Sequence, residues 1–180
     1  MSFFKKFTLY DLILIAGLSA IGLAIKPVIN PFIHILSSSL RIPGGSLSGG
    51  LLMMWMVLAK VLINKPGSAL FFGLAQGLTV MLLGFFGSHG VFSIISYALP
   101  GLVIEVLSLF FKGRSLGVLS VYCVSANMTG SFIVAVIIMQ LPFIPLMIAL
   151  VSAFLSGLLG AWFAEIVLNK LEKYHILEFF

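Results

Sequence analysis

Apolar residues run along this chain in six long stretches, separated by short clusters of Gly, Pro, Asn and charge. A helix that crosses hydrocarbon needs about 20 residues. The stretches are Thr8 to Ile29, Gly45 to Ile63, Ser68 to Phe86, Val91 to Phe111, Leu116 to Gln140 and Leu146 to Leu171. Between them lie breakers such as Asn64-Lys65-Pro66-Gly67, Gly87-Ser88-His89-Gly90, Lys112-Gly113-Arg114 and Pro142-Phe143-Ile144-Pro145. The pattern predicts an all-α integral membrane protein: one domain, 1–180, built as a compact bundle of six transmembrane helices. Most connections are short. The exception, Asn30 to Gly44, reads as a short interfacial helix or a lid, because a long loop in a compact bundle is often functional. There is no internal repeat and no low-complexity segment.

Composition agrees with the pattern. Of the 180 residues, 61% are hydrophobic and 8% charged, against roughly 25% charged in an ordinary soluble domain. So few charges cannot cover a water-facing surface, and the mean hydropathy of +1.25 points to lipid as the solvent. The first stretch begins like a signal peptide, with Lys5 and Lys6, but it ends at Lys26-Pro27 rather than at small residues and reads as a retained span. Cys123, the only cysteine, has no disulfide partner within the chain and reads as packing.

Positive charge orients the bundle. With the amino terminus in the cytoplasm, Lys5, Lys6, Lys60, Lys65, Lys112, Arg114, Lys170 and Lys173 fall on the inner side, and only Lys26 and Arg41 toward the outside. That asymmetry predicts both termini cytoplasmic and an even number of spans, in a prokaryotic plasma membrane. It also suggests anionic lipid, rather than nucleic acid, at the inner surface.

The outer side carries Lys26, Asn30, His34 and Arg41 at or after the end of the first stretch, His89 in an outer turn, and Tyr97 near the start of the fourth. No acid falls there. The same residues suit an ordinary wet surface with snorkelling cations or the rim of a cup for a neutral or anionic ligand. His34 and His89 are too few to define a metal site, and no cofactor is expected. Within the spans, Gln76 and Asn127 serve either as interhelical hydrogen-bond partners or as pocket lining. Trp55 is core packing or a stacking wall for a planar ligand. Glu105, about 21 Å below the outer end of its span at ~1.5 Å per residue, has Lys60 as a candidate partner. It forms a structural ion pair or a contact for a partner helix. Small residues recur every fourth position at Ala16, Ala20 and Ala24, and again at Ala153, Gly157 and Ala161. Such stripes suit close packing inside the bundle or docking of a separate membrane protein.

Catalysis has no foothold. The chain lacks HExxH and paired cysteines. Gly44-Gly45-Ser46-Leu47-Ser48-Gly49-Gly50 lacks the Lys of a phosphate-binding loop. Any ATPase must therefore reside on other subunits, and the alternative is a self-sufficient secondary transporter.

Met54-Trp55, the turn Lys65-Pro66-Gly67-Ser68-Ala69, the outer turn Gly84 to Gly90 and Leu99-Pro100-Gly101-Leu102-Val103-Ile104-Glu105 keep a familiar order. Over roughly residues 30 to 115 the chain resembles the S components of energy-coupling factor (ECF) ABC transporters. Within that family it is similar to the thiamine/hydroxymethylpyrimidine type, also labelled cobalt-transport permeases. The resemblance implies a six-helix, substrate-binding subunit that captures a micronutrient, thiamine or its hydroxymethylpyrimidine precursor. It further implies docking through Ala16, Ala20 and Ala24 onto a transmembrane coupling (T) subunit driven by two ATPases. Thiamine is cationic and the rim has no acid, so the neutral pyrimidine fits better. Haem, or another anionic tetrapyrrole, also fits, with Lys26 or Arg41 on its carboxylates and His34 or His89 near the metal.

Overall fold

The computed structural model describes residues 7–84 and 90–174, and every regular element among them is helical. The elements are α1 (Leu9–Leu40), α2 (Gly44–Ile63), α3 (Ser68–Leu83), α4 (Phe92–Leu107), α5 (Leu116–Ile133), which runs into a π-helical turn at Val134–Ile138, and α6 (Phe143–Lys173). Four of these, counting α5 with its π turn, are long and apolar enough to cross a membrane. The other two, α3 and α4, have 16 residues each, about 24 Å of helix. The chain is a multi-pass membrane protein, and whether α3 and α4 complete six crossings is taken up below.

The largest departure from the sequence reading is α1. Its 32 residues run through both Pro27 and Pro31, where the pattern placed a stop and then a short interfacial helix or a lid. Proline removes one backbone donor, but membrane helices tolerate it where neighbouring groups take up the freed carbonyls. The lid residues thus continue α1 by nearly three turns. The helix starts at a capping box in which Thr8 and Asp11 exchange side-chain-to-backbone bonds, and it ends on Arg41 in the left-handed conformation. The start of α6 departs in the same direction. Pro145 lies in its first turn, where proline leaves no helical bond unmade.

α2 is the axis of the bundle. It touches α1, α3, α5 and α6, and 78% of its most apolar window is buried, against 28% for α1 and for α6. Met56, Val57, Leu58 and Ala59, a full turn of it, are all fully buried. Two glycines explain how α6 comes so near. A Cβ at Gly50 would lie 1.7 Å from the Ser156 carbonyl oxygen, and one at Gly160 would lie 2.2 Å from that of Gly50. The Gly50 N–H donates to Ser156 Oγ at 3.0 Å, a helix-to-helix bond. Ala153 and Ala161 are fully buried in the same seam. The α6 stripe of small residues is therefore internal packing.

At the end of the bundle that holds the α2–α3 and α4–α5 connections, charge is paired. Lys60 Nζ donates to Glu105 Oε2 at 2.6 Å and to the Lys65 carbonyl at 3.2 Å. Glu105 Oε1 accepts the Ala69 N–H at 2.8 Å, which places a carboxylate at the positive end of α3. Lys65 Nζ reaches Asp11 Oδ2 at 2.5 Å. Of the two readings of Glu105, an ion pair with Lys60 or a contact for a partner helix, the structure forms the ion pair, which ties α4 to α2 and to the start of α3.

Candidate functional site

The opposite end of the bundle opens into a cavity of about 360 Å³. That is near the lower end of ligand pockets, which span roughly 300–1,000 Å³. Its wall is built from the second half of α1, the start of α2, one turn of α4, and the end of α5 with its π turn. The extension of α1 past its prolines is what supplies Asn30, His34, Ser37 and Arg41 to this wall. The π turn supplies Val134, with Met139 just beyond it. Such turns are rare and recur at functional sites.

Lys26 is the central polar feature. It projects from α1 at only 3% exposure, donates a hydrogen bond to the Tyr97 hydroxyl, and holds its ammonium 4.3 Å from the centre of the Tyr97 ring. Position alone suggested a snorkelling cation. The structure instead turns it inward, next to a phenol on α4. No Asp or Glu lines the cavity. Among the described residues, both ion pairs lie at the far end of the bundle.

Asn127 enters from α5. Its Nδ2 donates to the carbonyls of Ala153 at 2.8 Å and Ser46 at 3.5 Å. Gly49 makes room for it, since a Cβ there would sit 1.9 Å from Asn127 Oδ1. Packing and lining, weighed as alternatives for Asn127, are both satisfied. The amide locks α5 to α2 and α6 while its side chain forms part of the cavity wall.

The structure thus gathers Lys26, Asn30, His34, Arg41, Tyr97 and Asn127 around one space. His34 and Arg41 are exposed at the rim. Trp55 and Gln76 fall outside that wall. They meet instead at Gly22, where a Cβ would come within 2.8 Å of Gln76 Nε2 and 3.1 Å of Trp55 Cδ1. Gln76 Nε2 also donates to the Ser19 carbonyl at 3.4 Å. The two residues therefore form an α1–α2–α3 junction. His89 lies outside the described residues. Ala16, Ala20 and Ala24 are exposed along α1, away from the cavity.

Ser48, Ser131, Leu52 and Met53 line the cavity without having been singled out by the sequence. Serines and apolar residues inside an apolar span carry no signal of their own. Gly49 beside Ser48 does, because it marks where the Asn127 side chain enters the wall.

A comparison with curated proteins finds no match. The fold is that of a crystal structure described as an S component of an ECF transporter, with a TM-score of 0.77 at 24% identity, covering 95% of this chain and 88% of that one. The family model for the permease component of the ABC-type cobalt transport system matches residues 10–132. Most of the cavity wall and all of α2 to α4 fall within that match, and the chain belongs to this family of transport permease components.

Proposed function

We propose that this protein is the substrate-binding S component of an ECF-type importer in a prokaryotic plasma membrane. It crosses six times, with both termini in the cytoplasm and the cavity facing out. The observation that carries the reading is the cavity itself: a ligand-sized space, at the end of the bundle poor in positive charge, in a chain with the S-component fold. The opposite end holds Lys60, Lys65, Lys112, Arg114, Lys170 and Lys173, as expected of a cytoplasmic face. In this orientation α3 and α4 cross as short helices, which a bilayer accommodates by local thinning.

Energy comes from partners, a T subunit and two ATPases. Exposure of Ala16, Ala20 and Ala24 on α1 supports that stripe as the docking face. By resemblance the cargo is hydroxymethylpyrimidine or thiamine. An acid-free lining with a buried ammonium favours the neutral pyrimidine over cationic thiamine. A second reading, an anionic tetrapyrrole such as haem, draws support from Lys26, Arg41 and His34 on one wall. Among the described residues, no three His, Cys, Asp or Glu side chains come together, so a bare cobalt ion gains no support from them.

Co-expression with a T subunit and its ATPases tests the role. A stable complex that takes up labelled pyrimidine, thiamine or haem into vesicles only with ATP is the expected result. Transport by the isolated chain in liposomes, with no complex recovered, would overturn it in favour of a secondary transporter.

A further inference from the structure

The polar groups of the cavity divide unevenly between donors and acceptors. Four wall serines have already used their hydroxyl hydrogens within their own helices, Ser38 among them, donating to the Ile35 carbonyl at 3.1 Å. Ser37 donates to the His34 carbonyl at 3.4 Å, Ser48 to that of Gly44 at 3.2 Å, and Ser96 to that of Ser93 at 3.2 Å. The donors still available are others. The Lys26 ammonium has three hydrogens, and the Tyr97 hydroxyl takes one of them. Tyr97 accepts in that contact, so its own O–H hydrogen remains to be given. Ser131 Oγ is buried, with 3% of the residue exposed, and has no partner among the described residues. Lys26, Tyr97 and Ser131 line the same cavity, and Gly130, beside Ser131, sits where a Cβ would be 3.6 Å from the Ser96 carbonyl oxygen.

A buried ammonium without a counter-charge is unfavourable, because the low-dielectric surroundings do not replace its water. A neutral ligand would leave that charge uncompensated. A carboxylate is acceptor-only and matches a cluster of unused donors around a cation. The remainder of the wall includes Ile33, Leu52, Met53, Val134 and Met139, which suits an apolar body.

Resting on the reading of this cavity as the nutrient site, but departing from the pyrimidine cargo that the resemblance implies, we infer that it selects an amphipathic organic carboxylate. The carboxylate is held by Lys26 Nζ and the Tyr97 hydroxyl, with Ser131 in reach, and the apolar body lies against Leu52, Met53 and Val134. Arg41 and His34 at the rim attract such an anion but do not bind its head.

The test uses the full chain in lipid nanodiscs and matched acid and neutral probes: benzoate with benzamide, 2-naphthoate with 2-naphthamide, and protoporphyrin IX with its dimethyl ester. Calorimetry and thermal shift read binding. The expected result is that at least one acid binds about 10-fold or more tightly than its neutral partner, as for a hydrogen bond to a charged group. Lys26→Met abolishes that preference, and Lys26→Arg keeps it. Tyr97→Phe, which retains the ring, lowers it by about 3- to 10-fold and carries the test should Lys26→Met fail to fold. Equal binding within every pair, no binding by any acid, or a preference unchanged in both Lys26→Met and Tyr97→Phe would overturn the inference. Complex formation with the T subunit and ATPases is read separately. Should the transport role be wrong, that complex is missing while acid preference persists. Should the carboxylate site be wrong, the complex forms and the preference is absent.

Discussion

Replacing Glu105 with Ala removes one carboxylate that serves two groups. Its Oε2 is 2.6 Å from Lys60 Nζ and its Oε1 accepts the Ala69 N–H at 2.8 Å, while Lys60 has one further contact, the Lys65 carbonyl. The two side chains are only 9% and 13% exposed. Breaking a buried pair from one side costs about 3–5 kcal/mol, because the remaining charge is left uncompensated. Of that loss, the orphaned Ala69 N–H accounts for about 1–2 kcal/mol. For a chain of this length such a loss lowers the unfolding midpoint by on the order of 10 °C. Thermal unfolding of the full chain in lipid nanodiscs measures it. The double variant Lys60→Met with Glu105→Leu removes both charges and recovers most of the loss, leaving about 1–2 kcal/mol from the unpaired N–H. A Glu105→Ala variant within about 1 kcal/mol of the parent, or a double variant as unstable as the sum of the singles, would refute the assignment of Glu105 to an internal tie. Stability unchanged together with failed complex formation would return Glu105 to the docking surface.

Three further outcomes follow from the packing. Gly50→Ala places a methyl carbon against the Ser156 backbone and is expected to cost more than about 3 kcal/mol or prevent folding, read by yield and monodispersity after detergent extraction. Ala20→Trp on the exposed face of α1 is expected to reduce recovery of the T subunit and ATPases in a pull-down while leaving the thermal midpoint of the isolated chain within about 2 °C; full recovery of the complex counts against that face. Cys123 is fully buried and is expected to resist maleimide labelling in the folded protein, so that cysteines added near either terminus report topology by themselves. Labelling of the two ends from opposite sides of the bilayer would remove the orientation proposed above.

Some of this was legible along the chain and some was not. The six apolar stretches, the pairing of Lys60 with Glu105 and the concentration of Lys26, Asn30, His34 and Arg41 near one end could be read directly. Their signals are large: hydrocarbon tolerates few charges, and those it tolerates must pair or face a cavity. The continuation of α1 was not legible, because Lys26-Pro27 and Pro31 form a stop signal in water that neighbouring helices override in a membrane. Trp55 and Gln76 fall in the middle of α2 and α3, but the neighbours they face were not legible. Gly22 decides their surroundings, and nothing in its own stretch marks it as the position where two large side chains meet α1.

The reason lies in what lipid does to periodicity. In water, an amphipathic helix shows its buried face because the other face is polar. Here both faces are apolar. On α1, Leu12 and Ile13 are about half exposed while Ile15, three or fewer residues away, is 4% exposed, and no rule of composition separates them. Small residues are the remaining facial signal, and they are ambiguous in kind. The stripe Ala16, Ala20, Ala24 and the stripe Ala153, Gly157, Ala161 have the same spacing. Yet the second is buried against α2 and α5, with a Cβ at Gly157 only 2.6 Å from the Val124 Cα, and the first faces outward. What distinguishes them is the partner stripe. Gly50 answers Gly160 across the α2–α6 seam, whereas α1 shows no contact of that closeness along its own small-residue face: Gly17, beside Ala16, has nothing within 4 Å of a Cβ built on it. A smooth ridge that is matched inside the chain is packing. One left unmatched, on the helix that also carries Lys26 into the cavity, is the face proposed above for docking.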